Sequence, residues 1–358
     1  MRVVYLGTPV AAVPPLRALL DSAHEVVAVV TRPDRPRDRR GGAPLPSPVK
    51  QAALAAGVPV LEPPSGRDPE LPGRLAATGA DIGVACAFGY LLPDQVLAAL
   101  PRGIINLHFS LLPAYRGAAP VQRALLDGVE VTGVTTFVID AGMDTGPLLL
   151  AAEVPVDPAE DAGALTARLA QVGARLTVET LDALESGQVQ PRPQPETGVS
   201  LAPKVTGEEA RLDFSWPAAR LTDAVRAFTP APGAWTTHRG RRLKVTWAAP
   251  AGGSGGLKER SGSPPEGGGS GGLKERSGSP PEGGGSGGLK ERRGSPPVGG
   301  EPELDPGRLA VGPGGRLLVG TADHPLELLE VRPEGRRAMS GAEFARGARL
   351  GPAEWLGR

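Results

Sequence analysis

The chain contains 358 residues, enough for two domains that each bury a hydrophobic core. Its 39 Lys and Arg balance its 39 Asp and Glu, so no overall positive field draws it to nucleic acid. Any RNA site must therefore come from local clusters of charge. A single cysteine, Cys86, excludes an internal disulfide framework and suits a reducing compartment such as the cytoplasm. No apolar run approaches the roughly 20 residues of a membrane-spanning helix.

The first part of the chain alternates short apolar segments with helical patterns. Strands are predicted at residues 2–6, 26–31, 58–61, 81–87 and 104–108. Helices are predicted between them at residues 14–21, 48–56, 70–77 and 93–100, each with a proline near its start, where the first helical turn tolerates one. Apolar strands that alternate with helices indicate a parallel sheet covered on both faces. We therefore predict an α/β domain.

The segment from Thr31 to Lys50 is strongly basic. It contains six Arg and Lys residues against two Asp residues, together with several prolines and the pair Gly41-Gly42. A solvated loop is the simplest interpretation, because most charge runs are no more than that. A long loop of this composition could also order on a phosphate backbone. Both interpretations stay open from the residues alone.

Residues 104–108, Ile-Ile-Asn-Leu-His, read as a strand in which two polar residues alternate with apolar ones. Successive side chains of a strand point to opposite faces, so Asn106 and His108 share one face, about 6–7 Å apart. An amide donor and a titratable imidazole at this spacing could act on one carbonyl group. We predict that both residues are catalytic.

A third polar group follows the next predicted strand, residues 131–139. The turn after it, Asp140 to Gly146, has glycines on both sides of Asp144, which allow a tight loop that returns the carboxylate toward the strand ends. Asp140 lacks the paired glycines and is the weaker candidate. An amide, an imidazole and a carboxylate supply an oxyanion donor, a proton acceptor and a group that orients the imidazole. Any nucleophile would then come from a substrate. No metal-ligand spacing is present.

The rest of the chain predicts a long helix, a linker and a small β domain. A strand at residues 147–155 precedes the helix at 161–185, and the Pro- and Gln-rich segment after it reads as extended. A helix at 217–228 is followed by short strands at 234–238, 242–248, 307–311, 316–320 and 326–331. This pattern fits a small barrel of the oligonucleotide-binding (OB) type. Arg241 and Arg242 add a second basic cluster, which could equally protect a strand edge.

Residues 251–300 are compositionally different, with three tandem units of 16 residues. Each unit has a single leucine, the third also has Val298, and the remaining residues are Gly, Pro, Ser and charged residues, so no unit can bury enough surface to offset the entropy of ordering. We interpret the segment as a disordered insertion between barrel strands. A weak role in touching RNA or a partner stays open.

These motifs together resemble those of the folate-dependent formyltransferases. The resemblance rests on Asn106-x-His108, Ser110-Leu111-Leu112-Pro113, Arg116-Gly117-Ala118-Ala119-Pro120, Gly133 and Asp144-Thr145-Gly146. Three further stretches are similar to the branch of that family whose acceptor is methionine carried by initiator tRNA: residues 7–9 (GTP), 31–50 with PSPVK, and 226–235 (RAFTPAPGAW). The match covers nearly the whole chain except residues 251–300.

The resemblance implies a Rossmann-like formyltransferase domain followed by an OB-like domain. Residues 1–189 would form the catalytic domain, 190–204 a linker, and 205–345 a tRNA-binding domain interrupted by 251–300, with 346–358 as a tail. The expected catalytic residues are Asn106, His108 and Asp144, with His108 as proton acceptor or, when protonated, a second donor. The expected ligand-binding residues are Ser110, Leu111, Leu112 and Pro113 for 10-formyltetrahydrofolate, and Arg39, Arg40, Arg241 and Arg242 for tRNA. No metal, membrane or obligate protein partner is expected.

Two alternatives remain from the sequence. A formyltransferase of the same catalytic domain could act on a sugar-nucleotide amine or a purine precursor, although such small acceptors need neither the basic loop nor the barrel. A tRNA-binding protein could retain the catalytic shell without turnover, although a binding module has no need of Asn106, His108 and Asp144.

Overall fold

The computed structural model describes residues 1–37, 42–252, 302–351 and 354–357. The strands of the N-terminal domain are β1 (Arg2–Gly7), β2 (Glu25–Val30), β3 (Arg35–Arg37), β4 (Gly42–Leu45), β5 (Val60–Leu61), β6 (Ile82–Cys86), β7 (Ile104–His108), β8 (Val131–Val138) and β9 (Leu148–Pro155). Seven of them form one sheet in the order β5-β2-β1-β6-β7-β8-β9. The five strands from β5 to β7 are parallel, which confirms the prediction, and β8 and β9 extend the sheet antiparallel.

Helices cover both faces of this sheet. They are α1 (Val13–Leu20), α2 (Pro48–Ala55), α3 (Leu71–Ala77), α4 (Asp94–Leu97), α5 (Pro120–Leu126) and α6 (Ala162–Glu185). The alternation of side chains along β1 shows why two layers are needed, because Val3 and Tyr5 enter the core beside α1 and α6, whereas Val4 and Leu6 enter the core beside α3 and α4. Cys86 is fully buried in β6, and burial raises the pKa of its thiol to about 12.

The predicted elements of this domain are confirmed to within a few residues, and a helix and a two-stranded hairpin are additional. Helix α5 was not predicted, although Pro120 occupies its first turn. Strands β3 and β4 pair antiparallel inside the basic segment, so that segment contains a hairpin. Arg39 and Arg40, the arginines expected to contact tRNA, lie outside the described residues.

The C-terminal domain is an antiparallel, curled sheet with two helices. Its elements are α7 (Ala218–Phe228), β10 (Trp235–His238), β11 (Arg241–Pro250), β12 (Leu309–Val311), β13 (Leu317–Val319), β14 (Leu326–Pro333), β15 (Met339–Ser340) and α8 (Gly341–Ala348). The strand order is β10-β11-β14-β13-β12, with β15 beside β14. One core joins the sheet to both helices and includes Leu221, Phe228, Val245 and Phe344. This agrees with the predicted small β domain. The proposed insertion falls between β11 and β12, largely outside the described residues.

The last described residues return to the barrel. The Leu356 N–H donates to Gly307 O at 2.8 Å, and the Gly357 N–H donates to Thr237 O at 2.9 Å. This short segment therefore bridges the two edges of the sheet, the edge of β10 and the chain just before β12. The domain boundaries given above stay predictions. No described helix is both long and apolar enough to cross a membrane.

Candidate active site

Strand β7 presents Asn106 and His108 from one face of the sheet, as the alternation of residues predicts. Leu107 points to the opposite face, where it lies against Gly173 of α6. The backbone of β7 pairs with β6 on one side and β8 on the other, which places Asn106 between Ala85 and Phe137. The two polar side chains are therefore held at the carboxyl end of a central strand, where parallel sheets build their sites.

His108 is nearly enclosed, with 6% of its surface exposed, and both ring nitrogens have identifiable neighbours. Nε2 lies 2.9 Å from the carbonyl oxygen of Tyr115. A carbonyl oxygen only accepts hydrogen bonds, so in this contact Nε2 carries the hydrogen. In the neutral ring the lone pair is then on Nδ1. The ring also packs edge-on against Phe137, with ring centroids 6.4 Å apart.

Asp144 lies beside the Nδ1 side of this ring. Its Oδ2 is 3.6 Å from His108 Nδ1 and accepts a hydrogen bond of 2.8 Å from the Gly117 N–H. The loop can fold this tightly because residue 146 is a glycine. A Cβ at this position would lie only 1.8 Å from the Val138 carbonyl oxygen. Asp140 does not reach the histidine and instead accepts from Thr145 Oγ1 at 2.8 Å. The structure thus brings Asp144, and not Asp140, to His108.

Burial lowers the pKa of His108 below its ordinary value of 6.5, while the Asp144 carboxylate and the Tyr115 carbonyl act in the opposite direction. His108 is therefore neutral at pH 7, with a free lone pair on Nδ1. This favours the role of proton acceptor over that of a protonated second donor. An imidazolium formed by proton uptake would lie 3.6 Å from the Asp144 carboxylate, which stabilises it.

Histidine titration followed by NMR checks this electrostatic arrangement. The chain has four histidines, and the spectrum of His108→Gln assigns the signal of His108. We expect a midpoint below 6.5 in the wild type, and a still lower one in Asp144→Asn, because that change removes a charge that raises the pKa. A midpoint above 6.5, or an upward shift in Asp144→Asn, would contradict the account. Because the unfolded chain binds this proton more tightly, His108 also weakens folding as the pH falls below 6.5.

Asn106 is partly exposed, and no hydrogen bond to its side chain is found among the described residues. Its amide N–H groups are therefore available to a ligand at the end of β7. Asn106 is the only asparagine in the sequence. A neutral donor next to a neutral imidazole suits a reaction in which negative charge develops on a carbonyl oxygen.

The predicted ligand turn, Ser110 to Pro113, begins two residues after His108 and is held by hydrogen bonds to Thr135. Thr135 Oγ1 donates to Ser110 O at 2.7 Å and accepts from the Leu112 N–H at 3.2 Å. The Ser110 hydroxyl is fully buried and donates to Ala114 O at 2.6 Å. Leu111 and Pro113 are partly exposed, whereas Leu112 is nearly buried. The serine therefore shapes the turn and is not presented as a nucleophile.

The two arginines of the C-terminal domain that were predicted to contact tRNA lie at the start of β11. Arg241 and Arg242 are exposed, and neither forms an ion pair with a described residue. The guanidinium of Arg242 stacks 4.1 Å from the ring centroid of Trp235, and that of Arg211 lies 5.7 Å from the same centroid. Arg239, in contrast, pairs with Glu354. Exposed cations beside a partly exposed aromatic ring form a surface suited to phosphates and bases.

Two functional neighbours of His108 were not predicted from the sequence. They are the Tyr115 carbonyl, which fixes the ring, and the Gly117 N–H, which holds Asp144. Both belong to the loop after the Ser110–Pro113 turn, where Tyr115 has a left-handed φ of 61°. Backbone groups carry no residue-specific signal, so only the motif from Arg116 to Pro120 marked this loop.

The fold and the site together define a transferase of acyl groups. An α/β domain presents an amide, a neutral imidazole and a carboxylate around one open strand end, while Ser110 and Cys86 are both buried. A group of three or more His, Cys, Asp or Glu residues placed to hold a metal is not found in the described parts of the chain. The described groups can stabilise an oxyanion and accept a proton, and they leave the nucleophile to a substrate.

Comparison with known proteins agrees with this class. The sequence profile of the formyl transferase family matches residues 1–181, and that of the formyl transferase C-terminal domain matches residues 204–349. The methionyl-tRNA formyltransferase of Acidothermus cellulolyticus is 45% identical over 98% of both chains, and that of Streptomyces coelicolor is 43% identical over 100% of both. The chain belongs to the formyltransferase family.

Solved structures share the fold at low sequence identity. An N-formyltransferase from Helicobacter canadensis, in complex with folinic acid and dTDP-3-aminofucose, superposes with a TM-score of 0.59 at 13% identity, covering 91% of this chain and 98% of the other. HypX from Aquifex aeolicus, in complex with tetrahydrofolic acid, gives a TM-score of 0.57 at 16% identity over 96% of this chain. This chain spans about half the length of HypX, 47% of that chain.

Proposed function

We propose that this protein transfers the formyl group of 10-formyltetrahydrofolate to the free amino group of methionine carried by initiator tRNA. The observation that carries the proposal is the grouping of Asn106, His108 and Asp144 at one strand end, in a chain that matches methionyl-tRNA formyltransferases along its whole length. The exposed arginines Arg241 and Arg242 of β11 support a macromolecular acceptor that carries many phosphates. The product would serve translation initiation, and we propose that the protein acts in the cytoplasm.

Asn106 has the role of oxyanion donor. The methionyl amine attacks the formyl carbon and a new carbon–nitrogen bond forms, while the carbonyl oxygen gains negative charge. The Asn106 amide can donate to that oxygen, because no described group engages it. The bond from the formyl carbon to the folate nitrogen then breaks, and the carbonyl is restored on the product. The donor acts on charge that is largest in the transition state, so it increases turnover more than binding.

His108 has the role of proton carrier. The attacking amine must lose a proton, and the departing folate nitrogen must gain one, so one residue can perform both transfers. Nδ1 has the lone pair that accepts the amine proton, while Nε2 stays bound to the Tyr115 carbonyl. Asp144 stabilises the imidazolium from 3.6 Å until the proton passes to the folate nitrogen. The catalytic groups return to their starting state at the end of each cycle.

The turn from Ser110 to Pro113 is proposed to hold the folate. It starts two residues after His108 and is fixed by Thr135, so a ligand bound there has its formyl group near the imidazole. Met143, next to Asp144, is 56% exposed and adds apolar surface at the same edge. A flat heterocycle needs an apolar wall of this kind with a few polar groups that fix its orientation.

The tRNA is proposed to contact both basic clusters: Arg39 and Arg40 of the N-terminal domain, and Arg241 and Arg242 of β11. The Arg242 guanidinium lies over the Trp235 ring, so a base or a phosphate can approach the cation without a large loss of side-chain freedom. Arg241 is exposed on the adjacent position of the strand.

Replacing Arg241 and Arg242 together by alanine tests this surface. We expect a higher KM for methionyl-tRNA with an unchanged KM for 10-formyltetrahydrofolate, because only phosphate contacts are lost. With about two contacts removed, the salt slope of log Kd should become shallower by about two units. Arg102→Ala is the matched control, since Arg102 precedes β7 at the opposite end of the strand from His108. Equal effects of both changes would contradict a tRNA site on β11.

The proposed acceptor is separated from a sugar-nucleotide amine by the salt dependence of binding. Four phosphate contacts from Arg39, Arg40, Arg241 and Arg242 would weaken tRNA binding about a hundredfold for a fourfold rise in salt. Binding of a small amino sugar would change far less. Formylation of an amino-sugar nucleotide at a rate above that of methionyl-tRNA, with tRNA binding insensitive to salt, would replace this proposal by the small-amine alternative.

A further inference from the structure

The linker between the domains passes directly over the loops that hold His108. Its residue Arg192 pairs with Leu148 at the start of β9, with N–H to carbonyl distances of 2.7 and 2.9 Å. Farther along, the Arg116 N–H donates to Ser200 O at 2.9 Å, and the Ala202 N–H donates to Arg116 O at 2.6 Å. A sequence that reads as a plain extended spacer is therefore paired with the domain at both ends.

Gln194, between these two pairings, connects the Asp144 loop to Arg116. Its Nε2 donates to Asp144 O and to Gly146 O, each at 2.8 Å. Its Oε1 accepts from Arg116 Nε at 3.0 Å and from Nη2 at 2.6 Å. The two carbonyls can only accept and the guanidinium can only donate, so the orientation of the amide is determined. A glutamine side chain can make these contacts because its amide both donates and accepts hydrogen bonds.

Ser200 holds the other partner of His108. Its hydroxyl accepts from the Tyr115 N–H at 2.9 Å, and the carbonyl of the same Tyr115 accepts from His108 Nε2. Close approach of the linker here depends on Gly117, which has a φ of 127° and no room for a Cβ, since the Ala202 carbonyl oxygen lies 2.7 Å from that position. The backbone of Asp144 is thus hydrogen-bonded to Gln194, and the backbone of Tyr115 is hydrogen-bonded to Ser200.

We propose that Gln194 and Ser200 are positioning residues of the active site, which hold Asp144 and the Tyr115 carbonyl against His108. Neither residue touches the reacting atoms in this account. Gln194 already makes four hydrogen bonds within the protein, so it has little capacity left for a ligand. The linker is then part of the catalytic scaffold as well as the connection to the C-terminal domain. The kinetic part of this inference rests on the proposed formyl transfer, whereas its geometric part does not.

The variants Gln194→Met and Gln194→Glu test the amide. Methionine keeps the length without either hydrogen-bonding function, whereas glutamate keeps the acceptor for Arg116 and loses the donor to the two carbonyls. We expect kcat to fall about 10- to 100-fold in both, as for a catalytic group displaced by roughly 1 Å, with little change in either KM. Gln190→Ala is the matched control, because Gln190 is an exposed linker residue. If Gln194→Glu retained wild-type kcat, the positioning of Asp144 by Gln194 would be disproved.

The NMR titration of His108 provides a readout that general destabilisation does not move. If Gln194 holds Asp144 in place, Gln194→Met should lower the midpoint of His108 as Asp144→Asn does, and the two changes together should have no larger effect than Asp144→Asn alone. A lower kcat with an unchanged midpoint would reduce Gln194 to a structural residue. This titration needs no substrate, so it stays informative even if the wild type does not formylate tRNA.

Ser200→Ala and Ser200→Thr make the test independent of how Gln194 variants fold. Alanine removes the acceptor for the Tyr115 N–H, whereas threonine retains a hydroxyl. We expect Ser200→Ala to lower kcat and Ser200→Thr to restore most of it. Equal activity of both variants with the wild type would overturn the role of Ser200.

Discussion

Replacing His108 by glutamine should lower kcat for formyl transfer by about a hundred- to ten-thousandfold, the usual contribution of a general acid–base residue. Glutamine carries an amide N–H that can still donate to the Tyr115 carbonyl, so the surrounding loop should be retained. It has no lone pair that takes up a proton at neutral pH. The amine would then lose its proton to water, and the folate nitrogen would leave without an acid.

The controls for His108→Gln are the thermal midpoint and the KM for 10-formyltetrahydrofolate, which should stay close to those of the wild type. Asp144→Asn should have a smaller effect on kcat, since an asparagine oxygen can still accept from the Gly117 N–H while the stabilising charge is lost. A His108→Gln enzyme that keeps more than about a tenth of wild-type turnover would refute proton transfer by His108.

Replacing Asn106 by alanine should lower kcat by about a hundred- to a thousandfold, the typical cost of one oxyanion donor. The side chain is not needed to hold the fold, because no described residue hydrogen-bonds to it. The loss should therefore appear in turnover and not in stability or in folate binding. Turnover within a few-fold of the wild type would show that the oxyanion is stabilised by another group.

Asn106 also offers a direct spectroscopic control. As the only asparagine in the sequence, it gives one side-chain amide signal in protein labelled at asparagine alone. Addition of the stable analogue 5-formyltetrahydrofolate should shift that signal, since the amide would then donate a hydrogen bond to the ligand's formyl oxygen. Gln122→Ala, a change on helix α5, should leave the shift unaltered. An Asn106 signal that does not respond to saturating ligand would place the formyl group elsewhere.

Much of the architecture follows from local pattern. The strands β1 and β6 are short apolar runs, β7 alternates polar and apolar residues, and the long helix α6 has a helical repeat, so their positions could be predicted to within about two residues. The shared face of Asn106 and His108 follows from the two-residue repeat of a strand, which the structure confirms. The glycines that flank Asp144 likewise pointed to the loop that returns to the strand end.

Other features depend on contacts between distant parts of the chain, which local pattern does not contain. The Tyr115 carbonyl and the Gly117 N–H are backbone groups placed by a loop, and Gln194 looked like one more polar residue in a proline-rich spacer. The sequence gives no sign that the segment at 354–357, which lies in the predicted tail, pairs with Thr237 and Gly307. These contacts join residues that are far apart in sequence. Arg39, Arg40 and most of the 251–300 segment lie outside the described residues, so the expectations for them stay predictions.

Transfer to initiator tRNA can be measured by incubating the protein with 10-formyltetrahydrofolate and methionyl initiator tRNA, with methionyl elongator tRNA in a parallel reaction. Both acceptors present the same amine, so a difference between them reports recognition of the tRNA. We predict formylmethionine on the initiator tRNA alone. The variants His108→Gln and Asn106→Ala should lose nearly all of this activity. Equal formylation of both tRNAs, or of neither by folded protein that binds folate, would contradict the account.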